Sequence, residues 1–124
     1  MKLIKCACLV KKEKNNLLLV RVRNNKHWYL PGGKIEQNET ASETLERELF
    51  EELNIKLIQG SIQYLYTITG PAYNEEGLVD LVCFSADWEG EIQPQAEISE
   101  VTWINYKEKN LLAPAVLELT KHWD

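Results

Sequence analysis

The chain has 124 residues, 44% of them hydrophobic and 27% charged, and its fourteen Lys and Arg stand against nineteen Asp and Glu for a formal net charge of −5. That composition excludes a disordered or collagen-like chain, the length suits one domain over 1–124, and no apolar run approaches the roughly 18 residues of a membrane span. An acidic balance also argues against sequence-independent DNA binding, which needs a basic footprint, but leaves open a phosphorylated substrate screened by metal ions.

In chain order, Leu3 to Lys11 is expected as a first strand, because charges follow the short apolar run Cys6–Val10 too soon for a secretory leader. Cys6 and Cys8 fall on one side of it and cannot easily bridge each other. Three cysteines without zinc-type spacing imply free, reduced thiols in a cytoplasmic protein. Lys14-Asn15-Asn16 signals a turn, since Asn tolerates left-handed backbone. Leu17 to Arg23 alternates as a second strand, with Leu18, Val20 and Val22 on one face and Leu17, Leu19, Arg21 and Arg23 on the other. Trp28-Tyr29-Leu30 resumes strand briefly, and Pro31-Gly32-Gly33 is expected to end it.

Thr40 to Leu53 is the clearest helix. Thr40 or Ser42 can cap it, Glu43 completes a capping box with Thr40, and Asn54 suits a left-handed end. Leu45, Leu49 and Leu53 form its buried stripe, with Ala41 and Phe50 expected beside it. Further strands are expected at Lys56–Ile58, Ser61–Thr69, Leu78–Trp88 and Val101–Ile104, with loops at 70–77 and 89–97. Ala113 to Trp123 reads as a closing helix with Pro114 in its first turn. This order suggests a mixed α/β sandwich.

The helix places Glu48, Glu51 and Glu52 at i, i+3 and i+4, so three like charges share one face, two of them near the carboxyl end where the helix dipole disfavours anions. Arg47 can reach Glu51 and relieves part of this. Oxygen ligands at such spacing suit Mg²⁺ or Mn²⁺, although a solvated acidic face is the plainer alternative. Pro31-Gly32-Gly33 before the helix offers exposed carbonyls and close approach to the backbone.

Gly33, Glu39, Arg47-Glu48-Leu49, Glu51-Glu52, Asn54 and Ile55, in that register, resemble the box that defines the Nudix hydrolases, and Trp28 through Lys34 resembles MutT-like members. Asn54 departs from the family's usual Gly. The resemblance implies the Nudix fold, an α/β/α sandwich with a mixed β-sheet, over essentially the whole chain. It implies Mg²⁺- or Mn²⁺-dependent hydrolysis of a nucleoside diphosphate linked to another moiety. By that resemblance Glu48, Glu52 and the Gly33 carbonyl are metal ligands, Glu51 a further ligand or water-activating carboxylate, Arg47 an orienting group and Glu39 a supporting position.

Outside the box, the MutT-like resemblance favours Glu97 as an extra ligand or base, with Glu100 as competitor. Arg21, Arg23 and Lys34 are candidate phosphate contacts, Arg being suited to bidentate grip; an ordinary exposed strand face is the alternative for the two arginines. His27 and His122 are expected at the surface. Tyr64, Tyr66, Phe84 and Trp88 could stack a base, but Tyr73, in a loop, is the better candidate. Leu111 to Val116 carries no amide or acid side chain, and the nearest Asn, Asn110, precedes it, which weakens an oxidised-guanine reading.

The expected function is therefore a nucleotide pyrophosphohydrolase acting on a small-molecule nucleotide, with no membrane and no stable nucleic-acid partner. The alternatives are a non-catalytic nucleotide-binding regulator and an RNA 5′-end pyrophosphohydrolase. A homodimer is the default expectation from the frequency of such dimers, not from any residue. The charge has one location: Glu39 to Asn54 holds six Glu and one Arg, a local −5 equal to the net charge.

Overall fold

The computed structural model describes residues 3–73 and 76–123. Its central strand is β1 (Leu3–Leu9), buried at its end and alternating from face to face. On one side β1 pairs antiparallel with β4 (Gly32–Lys34), and on the other it pairs parallel with β7 (Leu78–Ser85), which pairs antiparallel with β6 (Gln63–Pro71). The four strands, in the order β4-β1-β7-β6, make a mixed sheet. A second sheet orders β2 (Lys12–Glu13), β3 (Asn16–Val22) and β9 (Ile98–Asn105), all antiparallel. A third pair joins β5 (Lys56–Leu57) to β8 (Trp88–Glu89).

Alternation along β1 and β3 divides the core in two. Ala7, Leu9, Leu18 and Val20 pack against Leu45, Leu49 and Leu53 of helix α1 (Ala41–Leu53). Cys8, Val10, Leu17 and Leu19 face the other way, toward Ala115, Val116 and Leu119 of helix α2 (Pro114–Thr120). The α/β/α sandwich with a mixed sheet follows from those two apolar faces, each needing a helix to cover it. Among the described residues no helix is long and apolar enough to cross a membrane. Cys8 and Cys83 are buried thiols. Burial pushes the Cys83 thiol up to about 12 and the Cys8 thiol well above its ordinary value.

Helix α1 begins and ends as its sequence implies. Thr40 Oγ1 accepts from Glu43 N at 3.2 Å while Glu43 Oε1 accepts from Thr40 N at 2.8 Å, the reciprocal capping box. Asn54 holds the left-handed conformation at φ 58° and closes the helix with its N–H on Leu49 and Phe50 carbonyls.

Several expectations need correction. Phe50 is 60% exposed, because the buried stripe runs through i, i+4 and i+8 and Phe50 lies off it. Pro31-Gly32-Gly33 does not end a strand: Gly32 opens β4, at φ 146°, and a Cβ there would lie 2.0 Å from the Ala7 carbonyl oxygen, so glycine is what lets β4 approach β1. In the first turn Lys14, not an Asn, is left-handed, at φ 55°. The Leu78–Trp88 strand breaks after Ser85, and Trp88–Glu89 pairs separately with β5. Conversely, β9 is longer than Val101–Ile104. The closing helix ends at Thr120 and continues as a 3₁₀ turn over Lys121–Trp123. Part of the 70–77 loop, residues 74 and 75, lies outside the described residues.

The α1 packing predicts a contrast between neighbours. Leu49→Ala, at a site with no exposure, should cost about 2–5 kcal/mol in urea unfolding. Phe50→Ala should fall within about 0.5 kcal/mol of wild type.

Candidate active site

Arg47 is the hub of the site. Its Nε and Nη2 donate to both oxygens of Glu39, at 2.7 and 2.9 Å, in a bidentate fork. Its Nη1 donates to Glu48 Oε2 at 2.7 Å and lies 3.6 Å from Glu51 Oε1. Nη2 also lies 3.8 Å from Glu36 Oε1. Glu39 in turn accepts from the buried Thr44 hydroxyl at 2.7 Å and from the Glu36 amide at 3.2 Å, which fastens the loop before α1 to the helix. These hydrogen bonds, Arg47's first, hold the Glu39 carboxyl down to about 2. The expected Arg47–Glu51 contact is therefore present, but it is longer than those to Glu39 and Glu48.

The loop and helix meet at Gly33. A Cβ on Gly33 would lie 2.1 Å from Glu48 Oε1, so the Glu48 carboxylate rests directly on the Gly33 backbone. Burial, opposed by Arg47, raises the Glu48 carboxyl above its ordinary value. Glu52 lies deeper and beyond Arg47's reach. Burial first, then the charges of Glu48, Glu97 and Glu51, push it up to about 8 against the opposing hydrogen bond from the Gly32 amide. Its Oε1 is buried with no hydrogen-bond partner among the described residues. A buried, unpaired carboxylate oxygen beside three like charges is costly unless a cation is shared among them.

That donor set of carboxylates and backbone carbonyls fits a hard divalent cation. Among the described residues no three His, Cys, Asp or Glu side chains already converge on one point. Glu48 Oε2 is taken by Arg47, and Glu51 is more than half exposed.

Glu52, Gly32, Gly33 and Lys34 form one wall of a cleft of about 310 Å³. Its other walls come from Ile4, Cys6 and Cys8 of β1, Val79 and Leu81 of β7, Tyr29, Tyr73, and Ala115 and Val116 at the start of α2. Sequence reading missed most of this lining. The signal available was the row of small side chains, Cys6, Cys8, Ala113 and Ala115, which leave room where larger ones would close the sandwich. Tyr73 sits edge-on to Tyr29 with ring centroids 5.3 Å apart, and its hydroxyl lies 2.9 Å from His27 Nδ1. Burial pushes the Tyr29 hydroxyl up to about 12. Among the described residues no Asn, Gln or Asp side chain lines the cleft, and Asn110 is exposed on a 3₁₀ turn over Lys109–Leu111.

Other candidates are distributed differently. Arg21 and Arg23 do not share a face, because a bulge follows Arg21 and Arg23 is left-handed, at φ 49°. Arg21 forms an ion pair with Glu100, its cross-strand partner, and lies over the Trp28 ring, 5.4 Å from its centroid. Glu97, by contrast, is unengaged by Arg21 and near enough to act on Glu52. Phe84 is buried in the core, and Tyr64 is exposed against Phe84, outside the cleft. Tyr66 and Trp88 pack against the core and are absent from the lining as well.

The NUDIX domain family model matches residues 1–122. The 8-oxo-dGTP diphosphatase of Buchnera aphidicola is 34% identical over 62 residues, covering 44% of this chain and 48% of that protein. The MutT-like protein of Streptomyces ambofaciens is 30% identical over 101 residues, covering 82% and 62%. The chain thus spans less than two thirds of the length of either curated relative. The solution structure of the E. coli ORF135 protein superimposes with a TM-score of 0.72 at 25% identity, covering 98% of this chain and 91% of that one. The MutT NUDIX hydrolase from Burkholderia pseudomallei superimposes with a TM-score of 0.71 at 20% identity, covering 97% and 100%.

The Glu52 environment has a consequence for metal-free stability. A carboxyl lifted from 4.5 to about 8 by folding favours the folded state while protonated. Its contribution is fully present below pH 4.5 and is lost as pH rises through 8. In metal-free protein, Glu52→Gln should therefore melt several degrees above wild type at pH 9, and the gap should close at pH 5. Thermal melts in chelator would check it; a gap independent of pH would contradict the burial of an ionised Glu52.

Proposed function

Because this chain belongs to the NUDIX domain family, we propose that it is a Mg²⁺- or Mn²⁺-dependent hydrolase of a phosphoanhydride bond in a nucleoside triphosphate or another nucleoside-diphosphate-linked compound. The observation that carries this reading is the buried, partnerless Oε1 of Glu52, a residue in the wall of an apolar cleft. Charge chemistry and a slot for an aromatic ring thus meet at one wall.

Phosphoanhydride hydrolysis requires neutralised phosphate charge and an activated water, and the bound divalent ion supplies both. Glu48, Glu52 and the Gly33 carbonyl would hold it, with Glu51 as a further ligand. Arg47 keeps Glu48 seated on Gly33. A carboxylate must then accept the proton of the attacking water. Glu97 and Glu51 remain available for this, whereas Glu100 is committed to Arg21. Lys34, on the rim, meets the phosphates, and Tyr73 lies along the base. Arg23 is exposed and available to a distal phosphate; Arg21 must first leave Glu100.

One relative is named for oxidised dGTP, but among the described residues the cleft offers no side-chain amide or acid at the base end. Apolar pockets discriminate weakly, so kcat/KM across the four standard bases should vary by less than about 200-fold. Phosphate and pyrophosphate release across dNTPs, nucleotide sugars, dinucleoside polyphosphates and ADP-ribose would measure this.

Glu52→Gln keeps volume and removes ligand charge. It should lower turnover by more than about 100-fold, beyond the 10–100-fold typical of residues that only support a metal ligand, with the fold intact by circular dichroism. Near-wild-type turnover of that variant at saturating Mg²⁺ would overturn the metal-site reading. Nucleotide binding without product release by the wild type would replace it with the regulatory one.

A further inference from the structure

The last carbonyls of a helix have no partners within it. Here the segment 93–97 is docked on them. Gln93 N donates to Leu53 O at 2.9 Å and Gln95 N to Glu52 O at 2.8 Å. The Gln95 side chain adds two bonds: its Nε2 donates to Glu51 O at 3.1 Å and to Phe50 O at 3.3 Å. The chain then turns through Ala96, which is left-handed at φ 54°, and Ile98 N closes the turn on Gln95 O at 3.0 Å. Glu97 follows, with its own carbonyl accepting from Arg23 N at 3.0 Å.

This turn works against two forces. A left-handed alanine is unfavourable, because its Cβ crowds the following carbonyl oxygen. Glu97 is also near enough to Glu52 for its charge to act there, and like charges repel. Glu97 is exposed, so without restraint its segment would move outward. Among the described residues, the only side-chain hydrogen bonds from this loop onto the end of α1 are those of the Gln95 carboxamide.

We propose that Gln95 is a positioning residue whose carboxamide clamps the Glu97 loop to the last turn of α1 and so sets the separation between Glu97 and the Glu51–Glu52 pair. The proposal rests on the hydrolase reading above, in which Glu97 works beside those carboxylates. The main-chain bonds of Gln93 and Gln95 dock the loop; the side chain holds it in register against the repulsion.

The test is a double-mutant cycle on the full chain. Gln95→Met keeps the length and removes the donor, and Glu97→Gln removes the charge being positioned. Gln95→Met should lower kcat by about ten- to a hundredfold, the effect expected of a displacement near 1 Å. KM should stay within about twofold and the melting temperature within a few degrees. In the Glu97→Gln background the same change should cost nothing further, because the two residues act as one unit. Binding of Mn²⁺ alone, followed by electron paramagnetic resonance, should weaken in Gln95→Met in the same sense as in Glu97→Gln. Losses that multiply independently, or a change confined to KM, would overturn the proposal. If the wild type turns over no nucleotide, the hydrolase reading fails; wild-type Mn²⁺ affinity in Gln95→Met would separately overturn the clamp.

Discussion

One guanidinium divides the acidic helix into a compensated half and an uncompensated one. Arg47 is planar and five-donor, so it can bind both oxygens of Glu39 and still reach Glu48. A lysine could supply the charge but not the fork. Through Glu39 the fork binds the loop at residues 34–39 to α1; through Glu48 it presses a carboxylate onto the Gly33 backbone. Of the carboxylates Arg47 binds, Glu39 is held well toward its ionised form, while at Glu48 burial outweighs the guanidinium. Glu52, one turn further on, lies outside that reach and takes the full effect of burial and of its neighbours' charge. The helix thus keeps four of its residues in a small electrostatic gradient, from satisfied at Arg47 to unsatisfied at Glu52.

The rest of the fold supports the two ends of that gradient. The pairing of β4 with β1 carries Gly32–Lys34 to the cleft and gives Glu52 its one backbone donor. Small side chains on β1 and at the start of α2 leave the sandwich open beside it. Polar chemistry is thereby confined to one wall and apolar contact to the others, the pattern expected where a charged group and a flat ring belong to one ligand.

What was legible in the chain was what local spacing determines. The α1 stripe, its capping box and the left-handed Asn54 each depend on residues within a turn or two, and each is found as read. The shared face of Glu48, Glu51 and Glu52 is of the same kind. Features made by distant pairing were not legible. Gly32-Gly33 reads as a break because the partner that makes it a strand, β1, lies some 25 residues earlier. The β3 bulge that separates Arg21 from Arg23 leaves no mark in the alternation. Choosing between Glu97 and Glu100 required knowing that β9 starts at Ile98, which sets Glu100 opposite Arg21. Gln95, a polar residue in a polar loop, carries no pattern at all, since its carbonyl partners stand 44 and 45 residues away.

The parallel pairing of β1 with β7 bears on how the chain reaches this state. Residues 3–9 form the middle of the larger sheet, yet their parallel neighbour is residues 78–84. The first strand made is thus among those completed late. During synthesis, β1 can gain β4 and lie against α1, but one of its edges stays open until residue 84 has emerged. Closing so long a loop makes the search slow relative to helix formation. The acidic helix will therefore form before the strand that floors the cleft is in place, and for that interval its carboxylates face water. Glu97, whose charge adds to the load on Glu52, comes later in the chain than β7, so that load is complete only after the larger sheet can have closed.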